Sequence, residues 1–116
     1  MKTKTKLSPQ RIAAVAALLG CLMGAVARAA DAATIWATNC ASCHGKDGKG
    51  NTMMGRRLGI KDMTDPKNQA SFSDADAIKD IKEGVTENGT EKMKGFGDKL
   101  SDSDIKALVA HVRSFK

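Results

Sequence analysis

Five consecutive residues, Cys40-Ala41-Ser42-Cys43-His44, constrain this chain more than any other stretch. Two thiols three positions apart, with a histidine directly after them, are what covalent c-type haem attachment requires. Each thiol can add to one vinyl group of the porphyrin and form a thioether. The two-residue gap suits the distance between the two vinyls along one turn of backbone. The histidine then falls beneath the iron and can supply its proximal nitrogen. A chain tethered in this way must fold around a flat, apolar group, and the chemistry it points to is electron transfer.

Two other uses of a Cys-x-x-Cys pair compete with this one, half of a zinc site and a dithiol redox pair. A structural zinc site needs four protein ligands. Outside the N-terminal segment the soft or imidazole ligands are Cys40, Cys43, His44 and His111, and the two histidines lack the close spacing of a zinc finger. No second Cys-x-x-Cys exists. A thioredoxin-like pair needs a βαβ setting, and the sequence offers none. Haem attachment is therefore the expected use of Cys40, Cys43 and His44.

The N-terminus reads as an export signal and not as part of the fold. Lys2, Lys4, Lys6 and Arg11 form a positive region, Ile12 to Val26 is apolar, and Ala27-Arg28-Ala29 is a small-x-small cleavage site. The apolar run is shorter than the roughly 20 residues of a membrane span. Residues 1–29 are therefore expected to be a secretory signal peptide and 30–116 the mature domain, released into the periplasm with no stable membrane span. Lipid anchoring at Cys21 is the minor alternative, because Leu18-Leu19-Gly20-Cys21 loosely resembles a lipobox.

Removing that segment changes the charge argument. The whole chain holds 19 basic and 13 acidic residues, but five of the basic ones and none of the acids lie in residues 1–29. The mature part is left at a net charge of +1, so nucleic acid is not an expected partner. It is also only 87 residues long, with three Phe, one Trp and no Tyr. So small a domain is short of core on its own, and a bound haem would supply the missing apolar surface.

Three helices are expected, with loops between them and no strands, which makes the fold all-α. The first spans about 32–43, with Asp31 as N-cap and with Trp36 and Cys40 four apart on one face. The second spans about 74–83. Ser73 caps it, Asp74 and Asp76 sit in its first turn, Ile78, Ile81 and Val85 form a narrow apolar stripe, and Gly84 ends it in a left-handed conformation. The third spans about 102–114, capped by Ser101, with Leu100 and Ile105 in the staple positions. Its Ile105, Leu108, Val109 and Val112 follow the i, i+3, i+4, i+7 rule, and Phe115 extends that face. Gly45 to Gly59 and Gly84 to Gly97 read as irregular loops.

An iron used for electron transfer needs a second axial ligand, and a thioether sulfur is a common one. Met53, Met54, Met63 and Met93 lie in the mature part. Met93 is the best placed, late in a loop before the third helix, where the chain can fold across the haem face opposite His44. Met63 and an open or His-ligated iron are the alternatives. Met53, Met54 and Met63 are otherwise expected to fill gaps in the core. His111 lies mid-helix, where packing or a solvated edge is expected.

Three segments in order, Thr38 to Gly45, Met93 to Ser101 and Ile105 to Phe115, make the mature chain resemble a small class I (monohaem) bacterial cytochrome c. The resemblance implies a small cytochrome c fold, about three main helices with loops wrapped around one covalently bound haem c. It implies Cys40 and Cys43 as thioether attachments, His44 as proximal iron ligand and Met93 as distal iron ligand. It also implies that the first and third helices cross, with Trp36 packing near the third and Ala32 as the small residue at the crossing. The chain departs from the family at two prolines. Lys94 follows Met93, and Met53 to Leu58 has no proline to offer the carbonyl that usually accepts the proximal imidazole N–H.

The expected function is a periplasmic, non-enzymatic one-electron carrier, a monomer that docks transiently with a redox donor and an acceptor. Lys46, Lys49, Lys92 and Lys94 flank the two loops and are candidates to steer an acidic partner. A small haem subunit of a larger oxidoreductase is the alternative, and a haem enzyme or gas-binding protein with an open iron position comes third.

Overall fold

The computed structural model describes residues 31–116. The signal-peptide reading, Cys21 included, falls outside the described residues. Helix α1 covers 31–39, so Asp31 lies inside the helix and not at its cap. After a single turn residue comes α2, Ala41–His44. Helical hydrogen bonding continues across that joint: Cys40 N donates to Trp36 O at 2.9 Å and His44 N to Cys40 O at 2.9 Å. Trp36, Cys40 and His44 therefore stack at i, i+4 and i+8 on one face.

The expected loop from Gly45 to Gly59 contains a helix, α3, Met53–Leu58. Thr52 makes it possible. Its Oγ1 accepts from Gly55 N at 2.8 Å as N-cap and donates to Cys43 O at 2.7 Å. A β-carbon on Gly55 would lie 2.2 Å from Gly50 O and 2.5 Å from Cys43 O, so only glycine lets α3 sit this close to the cysteine segment. A further short helix, α4, Pro66–Ala70, follows Asp65, whose carboxylate accepts from Lys67 N at 2.8 Å, with Pro66 in the first turn.

Helix α5, Asp74–Glu83, has the bounds the sequence suggests, and Ser73 and Asp76 form a reciprocal capping box. Gly84 ends it with φ +85° and ψ 177°, which is not the left-handed helical conformation but the first residue of a strand. Here the all-α expectation is corrected. Strands β1, Gly84–Glu87, and β2, Thr90–Lys94, form an antiparallel hairpin. Its turn is Asn88-Gly89, with φ +50° and +75°, the two positive angles that a two-residue hairpin turn favours. The described residues are mostly helical with one small sheet.

Helix α6, Asp102–Arg113, starts at a second capping box, Ser101 with Asp104, and buries Ile105, Leu108, Val109 and Val112. That is the face its periodicity marks. Trp36, Leu108 and Val112 form the centre of the core, with Met63, Phe72, Ile81, Leu100 and Phe115 around them. Ala32 is buried as well. Trp36 thus packs on the last helix, 5.5 Å from the His111 ring and 5.0 Å from Phe115. At the end of α6, Arg113 holds Asp74, Gln69 and the Phe72 carbonyl, and its guanidinium lies 4.3 Å over the Phe72 ring.

Candidate functional site

A cavity of about 410 Å³ opens beside α2. That is within the roughly 300–1,000 Å³ of cofactor pockets. Trp36, Cys40 and His44 form one wall, Leu58 and Ile60 a second, and Val85 and Met93 from the hairpin a third, with Leu108 and Val112 of α6 at the back. Of the four residues singled out in the sequence, Cys40, His44 and Met93 border this one space. Cys43 is half-buried and does not line it.

Met93 lies on β2, paired with Val85 across an irregularity in the ladder, and not in a flexible loop. Phe96 N, three residues on, donates to Ile81 O at 2.8 Å and straps the hairpin to α5. Met63 borders the same cavity and packs on the core. The gap-filling role expected of Met53 and Met54 is corrected: they are 80% and 41% exposed. Their helix turns Gly55 inward, which leaves Met53 and Met54 on the solvent side.

The electrostatics suit a neutral, apolar-walled site. Burial pushes the Cys40 thiol up to about 11, with Cys43 adding to the shift, so it stays a protonated thiol at neutral pH. No disulfide joins Cys40 and Cys43. Burial lowers the His44 pKa and favours its neutral ring. The ring lies 5.5 Å from Trp36, and its Nδ1 is buried with no hydrogen-bond partner. The loop that lacks the family's proline offers this atom no acceptor.

A neutral imidazole beside an apolar cavity is the form in which histidine binds a metal. With a thiol on the same helical face and a thioether on the facing hairpin, these donors fit an iron porphyrin. They do not fit zinc: among the described residues no three His, Cys, Asp or Glu side chains gather as a metal-holding group.

Several wall residues escaped the sequence reading. Leu58, Ile60 and Phe72 come from segments too short for a periodic pattern. Asp80, Glu87 and Lys92 add polar groups at the cavity. Burial, then Asp76, raises the Asp80 pKa. The signal for the hairpin wall was present in Asn88-Gly89.

Comparison with known proteins agrees with this geometry. A family model described as "Cytochrome C oxidase, cbb3-type, subunit III" matches residues 27–112. The cbb3-type cytochrome c oxidase subunit FixP of Azorhizobium caulinodans is 36% identical over 100 residues, which is 86% of this chain but only 31% of FixP. Cytochrome c6 of a Synechococcus species is 34% identical over 83 residues, 72% of this chain and 66% of that protein. The chain thus spans about a third of the one relative and just under two thirds of the other. Among solved structures, the c-type cytochrome KustC0563 superposes with a TM-score of 0.65 at 38% identity, covering 72% of this chain and 95% of that one. A point mutant of the same protein gives the same TM-score and identity. The chain belongs to the cbb3-type subunit III family of c-type cytochrome domains, haem-bearing modules of electron transport.

Proposed function

We propose that this chain is an exported one-electron carrier that would hold one haem c through Cys40 and Cys43, with His44 and Met93 as the side chains that would bind its iron. The observation that carries the reading is the placement of Cys40, His44 and Met93 on the walls of one apolar cavity. The haem supplies one-electron cycling between ferrous and ferric iron. The chain's own residues do the rest. Cys40 and Cys43 tether the group, and the CxxCH helix sets its orientation. Leu58, Ile60, Val85, Leu108 and Val112 keep water from the cavity walls, which disfavours the extra charge of the ferric form. A soft thioether from Met93 favours the reduced iron further. A carrier needs no open iron position and no bond-breaking side chains, so we assign no enzymatic activity. On this reading residues 1–29 direct export to the periplasm and are then removed, and the mature protein is a monomer that meets its redox partners briefly.

The likeness to FixP, by name an oxidase subunit, supports a second reading as a small haem subunit of a larger complex. Co-purification of a large partner from native membranes would favour it over the free carrier.

The decisive test is the optical spectrum of protein exported with a haem-attachment system. The carrier reading expects pigment that acid–organic solvent does not extract, and a weak far-red sulfur–iron band in the oxidised form. Met93→Ala should abolish that band and Met63→Ala should keep it. The reverse pattern would move the distal ligand to Met63. Rapid carbon monoxide binding by the reduced parent would overturn twofold ligation, and a mature mass that retains residues 1–29 would overturn processing.

A further inference from the structure

We infer that α3 is a docking face for a redox protein whose contact surface is apolar at the centre and acidic at the rim. The inference rests on the carrier reading and deepens it by naming the face and the partner's chemistry.

Among the described residues the exposed large hydrophobic side chains are Met53 and Met54, adjacent on α3. A six-residue helix with Gly55 turned inward has no room to bury them. Arg56 and Arg57, also exposed, lie one turn on from Met53. Lys46, Lys49 and Lys61 are exposed in the flanking segments. Between His44 and Lys61 there are five cations and one acid, Asp47, with Asp62 at the edge. Arg56 bonds the neutral Asn51 at 2.6 Å, and the Lys82–Asp102 and Arg113–Asp74 ion pairs lie elsewhere. Helix α5, by contrast, carries four acids, Asp74, Asp76, Asp80 and Glu83, against two lysines, Lys79 and Lys82. A cationic cluster of this kind favours approach of an acidic surface to the α3 side.

The face is also tied to the electron's exit. Thr52 bonds the Cys43 carbonyl, and Gly55 touches the same carbonyl without any side chain between. Leu58 of α3 borders the cavity. A partner seated on Met53 and Met54 is thus one helix layer from the attachment segment. The hairpin lysines are less suited to this task. Lys92 is half-buried at the cavity, and Lys94 lies 5.2 Å over the Phe96 ring. Flexible thioethers accommodate more than one partner shape, and a small apolar centre with a charged rim suits brief electron-transfer encounters.

The test uses the haem-loaded protein and an acidic single-copper redox protein as probe, with bimolecular electron-transfer rates from stopped flow. Arg56→Glu with Arg57→Glu should slow the reaction by about tenfold or more at low ionic strength, and salt should erase much of the difference. Met53→Ser with Met54→Ser should slow it about threefold or more, with little salt dependence. Lys106→Glu on α6 should stay within about twofold of the parent. Amide shifts on adding the probe should centre on residues 52–58. Unchanged rates in both double variants, shifts centred on the hairpin, or a self-association abolished by Met53→Ser/Met54→Ser would each overturn the proposal. All variants keep the parent spectrum, so failure here is distinct from failure of the haem reading, which would show as a colourless parent.

Discussion

The indole N–H of Trp36 donates to the carbonyl of Gly45 at 3.0 Å, inside the core and across nine positions of chain. The bond joins α1 to the residue directly after His44. It sets the depth at which the CxxCH segment sits against α6, because the same indole packs on Leu108 and Val112.

Trp36→Phe keeps an aromatic ring there but removes the donor, leaving the buried Gly45 carbonyl with only the longer bond from Gly48 N at 3.3 Å. Loss of that bond costs about 0.5–1.5 kcal/mol, and the smaller ring adds a cavity cost. Guanidinium unfolding of the haem-loaded variant should show an earlier midpoint with an unchanged slope. A midpoint equal to the parent's would mean the bond does not anchor the segment.

Gly55→Ala should be among the most damaging single-methyl changes in the chain. The added carbon would meet two backbone oxygens, which cannot swing aside as a side chain can. Overpacking of this kind costs about 1–3 kcal/mol or more. Gly59→Ala is the control, with open space around it and only the strain of φ +70°, about 1–2 kcal/mol. Thermal unfolding should rank Gly55→Ala below Gly59→Ala, and the opposite order would show that α3 is free to move away from Cys43.

Gly89→Ala places a β-carbon at φ +75° in the hairpin turn, with no neighbour to strike. The cost is conformational, about 1–2 kcal/mol, and it falls on the strand that carries Met93. On the proposed ligation, heating should erase the far-red sulfur–iron band at a lower temperature than in the parent. Helical ellipticity should survive to a higher temperature. Simultaneous loss of both signals would mean that the hairpin does not melt separately.

Asp76 gives a pH dependence with a definite sign. Hydrogen bonds from the Ser73 hydroxyl and N–H hold its carboxyl below the usual 3.8. The folded state therefore binds this proton less readily than the unfolded chain does. The stabilisation is complete above about 3.8 and is lost as pH falls through the lower folded value. The melting temperature of Asp76→Asn should lie below the parent's at pH 6, and the gap should narrow as acid protonates the parent. A gap that stays constant down to pH 2 would locate the effect in something other than the carboxylate.

Much of the helical part of the fold is local and was legible. Ser73 with Asp76 and Ser101 with Asp104 mark helix starts within four residues, and the face of α6 repeats at the helical period. Three shorter elements, α3, β1 and β2, were not legible in this way. α3 forms because Thr52 finds the Cys43 carbonyl, a contact that does not exist until the chain turns back. β1 and β2 are short and mostly polar. Their alternation is too weak to announce a strand, although Asn88-Gly89 names the turn.

The sequence by itself determined the chemistry expected at one end of the site, because five adjacent residues carry thiols and imidazole at a spacing that a single helical turn preserves. Tertiary structure alone decided that Met93 would border the same cavity, on a strand held by pairing with Val85 and by the bond from Phe96 to Ile81. It also decided that Met53 and Met54 would face solvent, because Gly55 is drawn against Cys43. Short-range features survive in any fold. Long-range ones exist only once hairpin closure and core packing outweigh the entropy of bringing distant segments together.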